Sequence, residues 1–142
     1  MRFYLDCSAL VALACNESTA PALKRWVAGL DDESLCSSDW CVPEVASALA
    51  LKVRTGQLDE AQADAAWAAF GEACDGLLQL LPLEAADCSL AAQMCRVHPS
   101  GLRAGDALHL AVALRCKCDA LLAFDHDLNR NAQASGLALI TL

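Results

Sequence analysis

Short apolar segments alternate with longer amphipathic segments along the whole chain, and this alternation constrains the fold more than any other feature. The spacing predicts strands at residues 2–5, 34–38, 77–81, 120–124 and 138–141. A segment with helical periodicity follows each of the first four strands. Strands that are joined through helices favour an α/β fold with a mainly parallel sheet.

The predicted helices have recognisable starts and stops. Pro21 and Pro43 lie where first helical turns are expected, and Gly29 and Gly56 follow the last ones. The segment 102–118 is apolar nearly all round and is therefore predicted to be a buried helix. Helices are predicted at 8–15, 19–29, 42–55, 59–74, 84–97, 102–118 and 127–134.

The length and composition suit one globular domain, residues 1–142. Hydrophobic residues make up 56% of the 142-residue chain, which is enough for a sizeable core. No segment approaches the roughly 20 apolar residues that cross a bilayer, and the start does not resemble a signal peptide. We expect a cytoplasmic protein without a membrane partner. None of the nine cysteines forms a Cys-x-x-Cys pair, and most lie among apolar residues, so they are expected to be reduced and to act as small hydrophobic residues.

The net charge of −8 argues against a broad nucleic-acid-binding surface. It leaves room for a nuclease with a small footprint, because a metal ion and a local basic rim can hold a phosphate.

Four carboxylates occupy positions that can meet at one edge of a parallel sheet. Asp6 and Asp125 follow predicted strands, whereas Glu44 and Asp106 lie in first helical turns. Each adjoins an apolar run, where an unpaired carboxylate is costly. Gathered together they would repel one another, so the pattern predicts a Mg²⁺ or Mn²⁺ site.

Each acid also has a structural interpretation. Asp6 can cap the first helix, and Asp127 fits the cap of the last helix better than Asp125 does. An acid in a first turn, as at Glu44, is favourable through the helix dipole. His109 is expected to be a hydrogen-bonded core histidine on an apolar helix.

The motifs around these acids resemble those of PIN domains of the VapC toxin type. They are Tyr4-Leu5-Asp6-Cys7-Ser8, Pro43-Glu44-Val45-Ala46, Arg103-Ala104-Gly105-Asp106-Ala107-Leu108-His109 and Phe124-Asp125-His126-Asp127. The resemblance covers nearly the whole chain. It departs from the family pattern where Cys7 replaces a common threonine and Ala123 replaces a hydroxyl residue.

The resemblance implies an α/β/α sandwich and a metal-dependent endoribonuclease. Asp6, Glu44, Asp106 and Asp125 would form the Mg²⁺ or Mn²⁺ site, and Ser8 would support it. The products would carry 5′-phosphate and 3′-hydroxyl ends. It also implies an RNA substrate, a VapB-type antitoxin partner and a homodimer. Arg103 could place a backbone phosphate.

Two other functions stay open at this point. A phosphatase could use Asp6 as nucleophile, but dehalogenase-like enzymes need a second Asp where Ser8 stands. A non-catalytic PIN-like interaction module would keep the fold and bind a partner, but such a scaffold would normally lose acids, and this chain has all four.

Overall fold

The computed structural model describes residues 1–142, which form five strands and seven α-helices. The strands are β1 (Arg2–Leu5), β2 (Ser34–Ser38), β3 (Leu78–Leu81), β4 (Ala120–Leu122) and β5 (Ala138–Leu139). The helices are α1 (Cys7–Ala14), α2 (Ala20–Ala28), α3 (Cys41–Arg54), α4 (Glu60–Gly76), α5 (Ala85–Arg96), α6 (Ala104–Arg115) and α7 (His126–Ala134). A short 3₁₀ turn spans His98–Ser100.

All five strands belong to one parallel sheet with the order β3-β2-β1-β4-β5. The first strand is central, with Tyr4 beside Cys36 of β2 and Leu121 of β4. The chain winds outward from β1 in both directions, so the order of strands reverses at β1 and β4. Ligands of open α/β sheets bind beyond the carboxyl ends of the strands at such a point.

Helices cover both faces of the sheet. Successive residues of each strand point to opposite faces, so each strand contributes to two cores. Leu5 belongs to a core of 13 buried residues that also holds Leu10, Leu23, Leu49 and Phe70, from α1 to α4. Tyr4 belongs to the other core, of 16 buried residues, which includes Ala91, Leu110 and Leu128 of α5, α6 and α7. The predicted three-layer α/β/α sandwich with a parallel sheet is confirmed.

Several predicted boundaries were wrong by a few residues. The buried helix was predicted at 102–118 but is α6, because Leu102 and Arg103 precede it and Lys117 turns the chain with φ 52°. Helix α4 was predicted to end at residue 74 but continues to Gly76. Strands β4 and β5 are also shorter than predicted. No helix of the protein is both long enough and apolar enough to span a bilayer.

An ion pair joins α5 to α6 on the side of the sheet opposite α1. Asp87, which is 1% exposed, accepts hydrogen bonds from Nε and Nη2 of Arg115 at 2.7 and 2.9 Å. It also accepts from the Glu84 amide at 2.8 Å. Burial raises the pKa of Asp87, but the Arg115 guanidinium and the Glu84 amide outweigh it and lower that pKa overall. Asp87 therefore stays charged and paired.

Asp87→Ala should lower the free energy of unfolding by about 2 kcal/mol, because it leaves a guanidinium and an amide without their buried partner. Chemical denaturation would measure this. Glu84→Gln is the matched control, since Glu84 bonds the same guanidinium at 3.1 Å from an exposed position. It should cost less than about 1 kcal/mol. Equal losses of unfolding free energy in the two variants would contradict the assignment of Asp87 as the main partner of Arg115.

Candidate metal centre

The ends of the two central strands bring Asp6 and Asp125 to the same edge of the sheet. Asp6 directly follows β1, and its amide donates to the Leu122 carbonyl at the end of β4 at 3.2 Å. Asp125 begins α7, three residues after β4 ends. Both acids therefore lie at the point where the strand order reverses.

Asp6 is buried, with 2% of its surface exposed, and it caps α1. Its Oδ1 accepts hydrogen bonds from Oγ of Ser8 at 2.7 Å and from the Ala9 amide at 3.1 Å. Oγ of Ser8 in turn accepts from the Phe124 amide at 2.9 Å. Ser8 thus joins the ends of β1 and β4 and holds the orientation of Asp6.

The cap of α7 is Asp125, not Asp127 as the sequence suggested. Oδ1 of Asp125 accepts from the Leu128 amide at 2.7 Å, because α7 begins one residue earlier than predicted, at His126. Asp127 lies inside the first turn and pairs with Arg130 at 2.8 Å on the surface.

Glu44 approaches the same edge from the first turn of α3, where it contacts α6. Its Oε2 is hydrogen-bonded to Nε2 of His109. The approach depends on Gly105, because a Cβ at that position would overlap Oε1 of Glu44 and lie 3.1 Å from Nε1 of Trp40. The glycine of the Ala104-Gly105-Asp106 motif therefore makes room for a carboxylate.

His109 connects Glu44 to the central strand. Its Nδ1 lies 2.8 Å from the Tyr4 hydroxyl, and the imidazole is 1% exposed. Burial raises the pKa of the Tyr4 hydroxyl, so that hydroxyl stays protonated and can donate to Nδ1. Where the hydroxyl donates to Nδ1, the ring proton is on Nε2 and is donated to Glu44. The expectation of a hydrogen-bonded core histidine is confirmed, but its carboxylate partner was not foreseen.

Tyr4→Phe should lower the free energy of unfolding by about 1–3 kcal/mol, because Nδ1 of His109 would lose its only donor in a buried place. Thermal or urea unfolding would measure this. A variant as stable as the wild type would show that Nδ1 of His109 does not depend on the Tyr4 hydroxyl.

Three of the four acids line one open cleft. Its volume is about 380 Å³, and its lining includes Asp6, Asp106, Asp125 and Ser8, with Glu17 and Lys52 at one side. Glu44 stands behind this lining against His109. Arg103 lies outside the cleft: it precedes α6, is exposed and makes no side-chain cap.

The carboxylates are close enough to affect one another's protonation. Burial, together with the negative charges of Asp125, Asp6 and Glu44, raises the pKa of Asp106 to about 6. Burial also raises the pKa of Asp6, although its hydrogen bond from Ser8 and the nearby His109 oppose the shift. The cleft therefore concentrates negative charge that the protein does not neutralise.

The residues of the cleft fit a hard divalent cation. Carboxylate oxygens are the ligands that Mg²⁺ and Mn²⁺ prefer, and Mg²⁺ needs only one or two of them because it keeps several waters. The caps of α1 and α7 use Oδ1 of Asp6 and Asp125 and leave each Oδ2 for another ligand. No three His, Cys, Asp or Glu side chains are grouped closely enough here to surround one ion by themselves. A cation bound here by one or two carboxylates would take its remaining ligands from water.

A family model described as the PIN domain matches residues 3–134. Comparison with curated proteins gives no match.

Several solved structures share the fold. VapC20 of Mycobacterium tuberculosis, a toxin that cleaves the sarcin–ricin loop, has a TM-score of 0.73 at 19% identity, with 99% of each chain covered. VapBC2 of Rickettsia felis, solved with a DNA fragment from its promoter, has a TM-score of 0.64 at 12% identity, covering 99% of this chain and 98% of the other. VapBC-1 of nontypeable Haemophilus influenzae has a TM-score of 0.64 at 15% identity, covering 99% and 97%.

Proposed function

This chain belongs to the PIN domain family, and we propose that it is a divalent-metal-dependent endoribonuclease, the toxin of a VapBC-type toxin–antitoxin pair. One observation carries the proposal. The acids Asp6, Asp106 and Asp125 line one cleft at the strand-order reversal, with Glu44 directly behind them. Unpaired carboxylates at this density suit a cation and a phosphodiester better than an organic anion.

We assign roles to the residues by their surroundings. Asp6 and Asp106 would hold the cation, since both line the cleft and both have raised pKa values that a positive charge would reverse. Asp125 would orient the attacking water through Oδ2, because its Oδ1 is fixed by the helix cap. Glu44, which is hydrogen-bonded to His109, would add negative charge beside the cleft, close to Asp106. Ser8 would keep Asp6 in place.

A bound Mg²⁺ or Mn²⁺ would supply a water of lowered pKa and neutralise charge at the phosphate. In-line attack would leave a 5′-phosphate and a 3′-hydroxyl. The cleft is open on one side, which suits a single RNA strand crossing it more than a small enclosed ligand.

The proposed antitoxin follows from the neighbours and from charge. Two of the similar structures are VapBC toxin–antitoxin pairs. A chain with net charge −8 and an acidic cleft is complementary to a basic inhibitor segment. We also propose that the chain forms a homodimer, with which its apolar, alanine-rich helix surfaces are compatible.

The nuclease is tested with purified protein and a fluorescent RNA whose ends are chemically blocked. We expect cleavage in Mg²⁺ or Mn²⁺, none in EDTA, and recovery when the cation is restored in excess. Product ends should be 5′-phosphates, whereas contaminating metal-independent ribonucleases leave 3′-phosphates. Folded protein that cleaves no RNA in either cation would instead support a non-catalytic interaction module.

A further inference from the structure

We infer that Lys52 is a substrate-binding residue that contacts a backbone phosphate of the RNA strand beside the four carboxylates, an inference that rests on the proposed function. An acidic cleft that cleaves RNA must hold a polyanion that its own charge repels. The residue that offsets this repulsion should be a cation inside the cleft.

Lys52 is the only one of the chain's ten lysines and arginines that lines this cleft. It lies in the last turn of α3, the helix whose first turn contains Glu44. Residues 44, 48 and 52 are spaced four apart and share one face of α3. Ala48 lines the cleft as well, so this face of α3 forms its wall.

The position of Lys52 along α3 indicates which phosphate it meets. Eight residues separate it from Glu44, which is roughly 12 Å along a helix axis. The ammonium therefore lies to one side of the carboxylates and would reach a phosphate that neighbours the scissile one. A contact at that distance contributes to binding and not to the chemical step.

In the structure, Lys52 is paired with Glu17. Nζ of Lys52 lies 2.8 Å from Oε1 of Glu17, whose side chain also lines the cleft and is 39% exposed. The hydrogen bond that Lys52 donates to the Glu17 carboxylate raises the pKa of Lys52, so the ammonium stays charged. Both side chains are only partly buried, at 20% exposed for Lys52 and 39% for Glu17, and a pair near the surface contributes little to stability, so a phosphate can replace Glu17 at small cost.

Arg103 is less suited to this role. It is exposed at the start of α6 and does not line the cleft. Arg103 belongs to one of the sequence motifs, whereas Lys52 belongs to none. The fold nevertheless places Lys52, and not Arg103, in the cleft.

The test compares steady-state cleavage of one RNA by the wild type, Lys52→Ala, Lys52→Gln, Lys52→Arg and Glu17→Gln. Lys52→Ala and Lys52→Gln should raise KM about three- to tenfold with little change in kcat. Lys52→Arg should restore most of the affinity, because it keeps the charge. Glu17→Gln should lower KM, because it frees the ammonium.

Salt dependence gives a readout that a purely structural role would not move. The slope of log KM against log salt should fall by about 0.7–1 in Lys52→Ala, as expected for one lost phosphate contact. Lys24→Ala is the matched control, since Lys24 is exposed, bonds Asn16 at 3.0 Å and lies outside the cleft. It should keep the wild-type slope and KM.

The outcomes separate this inference from the function on which it rests. Absence of cleavage by the wild type would overturn the proposed nuclease. An active wild type with unchanged KM and salt slope in both Lys52→Ala and Lys52→Gln would overturn the role of Lys52 alone. A fall in kcat with unchanged KM would also overturn it, because it would place Lys52 in the chemistry.

Discussion

Asp6→Asn is expected to slow RNA cleavage by about 1,000-fold or more, because Asp6, as a direct ligand of the proposed cation, would provide several kcal/mol of transition-state stabilisation. The fold should survive the change. Asparagine keeps an oxygen that accepts from Ser8 and from the Ala9 amide, so the cap of α1 is preserved. Single-turnover cleavage and thermal melting of the same preparation measure both effects.

Asp127→Asn is the matched control for this substitution. Asp127 is an acid in the first turn of α7, close in sequence to Asp125, but it pairs with Arg130 on the surface and lies outside the cleft. Its variant should cleave RNA at the wild-type rate. Cleavage by Asp6→Asn within tenfold of the wild type would remove Asp6 from the metal centre.

Asp106→Asn is expected to stabilise the metal-free protein at pH 7.5 by about 1–2 kcal/mol while abolishing cleavage. The pKa of Asp106 is about 6 in the folded protein and 3.8 in its ordinary state. At a pH between these two pKa values, the Asp106 carboxyl is protonated in the folded state and ionised in the unfolded chain. The contribution of Asp106 to stability is therefore fully present below about pH 4 and is lost as the pH rises through 6.

Urea unfolding of the wild type and of Asp106→Asn in EDTA, from pH 4.5 to 8, measures this effect. The wild type should lose stability relative to the variant as the pH rises. Asp6 also has a raised pKa, so the variant should keep part of the dependence. If the free energy of unfolding changed with pH in the same way in both proteins, the raised pKa of Asp106 would be contradicted. Saturating Mn²⁺ at pH 7.5 should stabilise the wild type more than the variant.

The fold was predictable because its signals are local. Each of the first four strands is a short segment followed by a helix, and parallel pairing follows from that alternation. The ends of elements were less predictable, as Gly76 and Leu102 show. They depend on where tertiary contacts stop, which local periodicity does not record.

The acidic positions were predictable for the same reason. Asp6 and Asp125 follow strands whose carboxyl ends must meet in a parallel sheet, and the structure places both at the edge of one cleft with Asp106. Their roles as ligands remain predictions.

The partners of these acids could not be predicted from spacing. Tyr4 and His109 are 105 residues apart, and His109 and Glu44 are 65 apart, so only the folded chain brings them together. The one available signal was that His109 follows Asp106 by three residues, on the same face of a helix. Lys52 belongs to no motif and gave no signal at all.

Calorimetric titration of Mn²⁺ into the metal-free protein at pH 7.5 tests the central claim most directly, because it asks whether the acidic cleft binds a divalent cation before any RNA is present. We expect saturable binding to the wild type that is lost in Asp6→Asn and in Asp106→Asn and is retained in Asp127→Asn. A wild type that shows no saturable binding at millimolar Mn²⁺, or that binds no better than Asp106→Asn, would contradict the account.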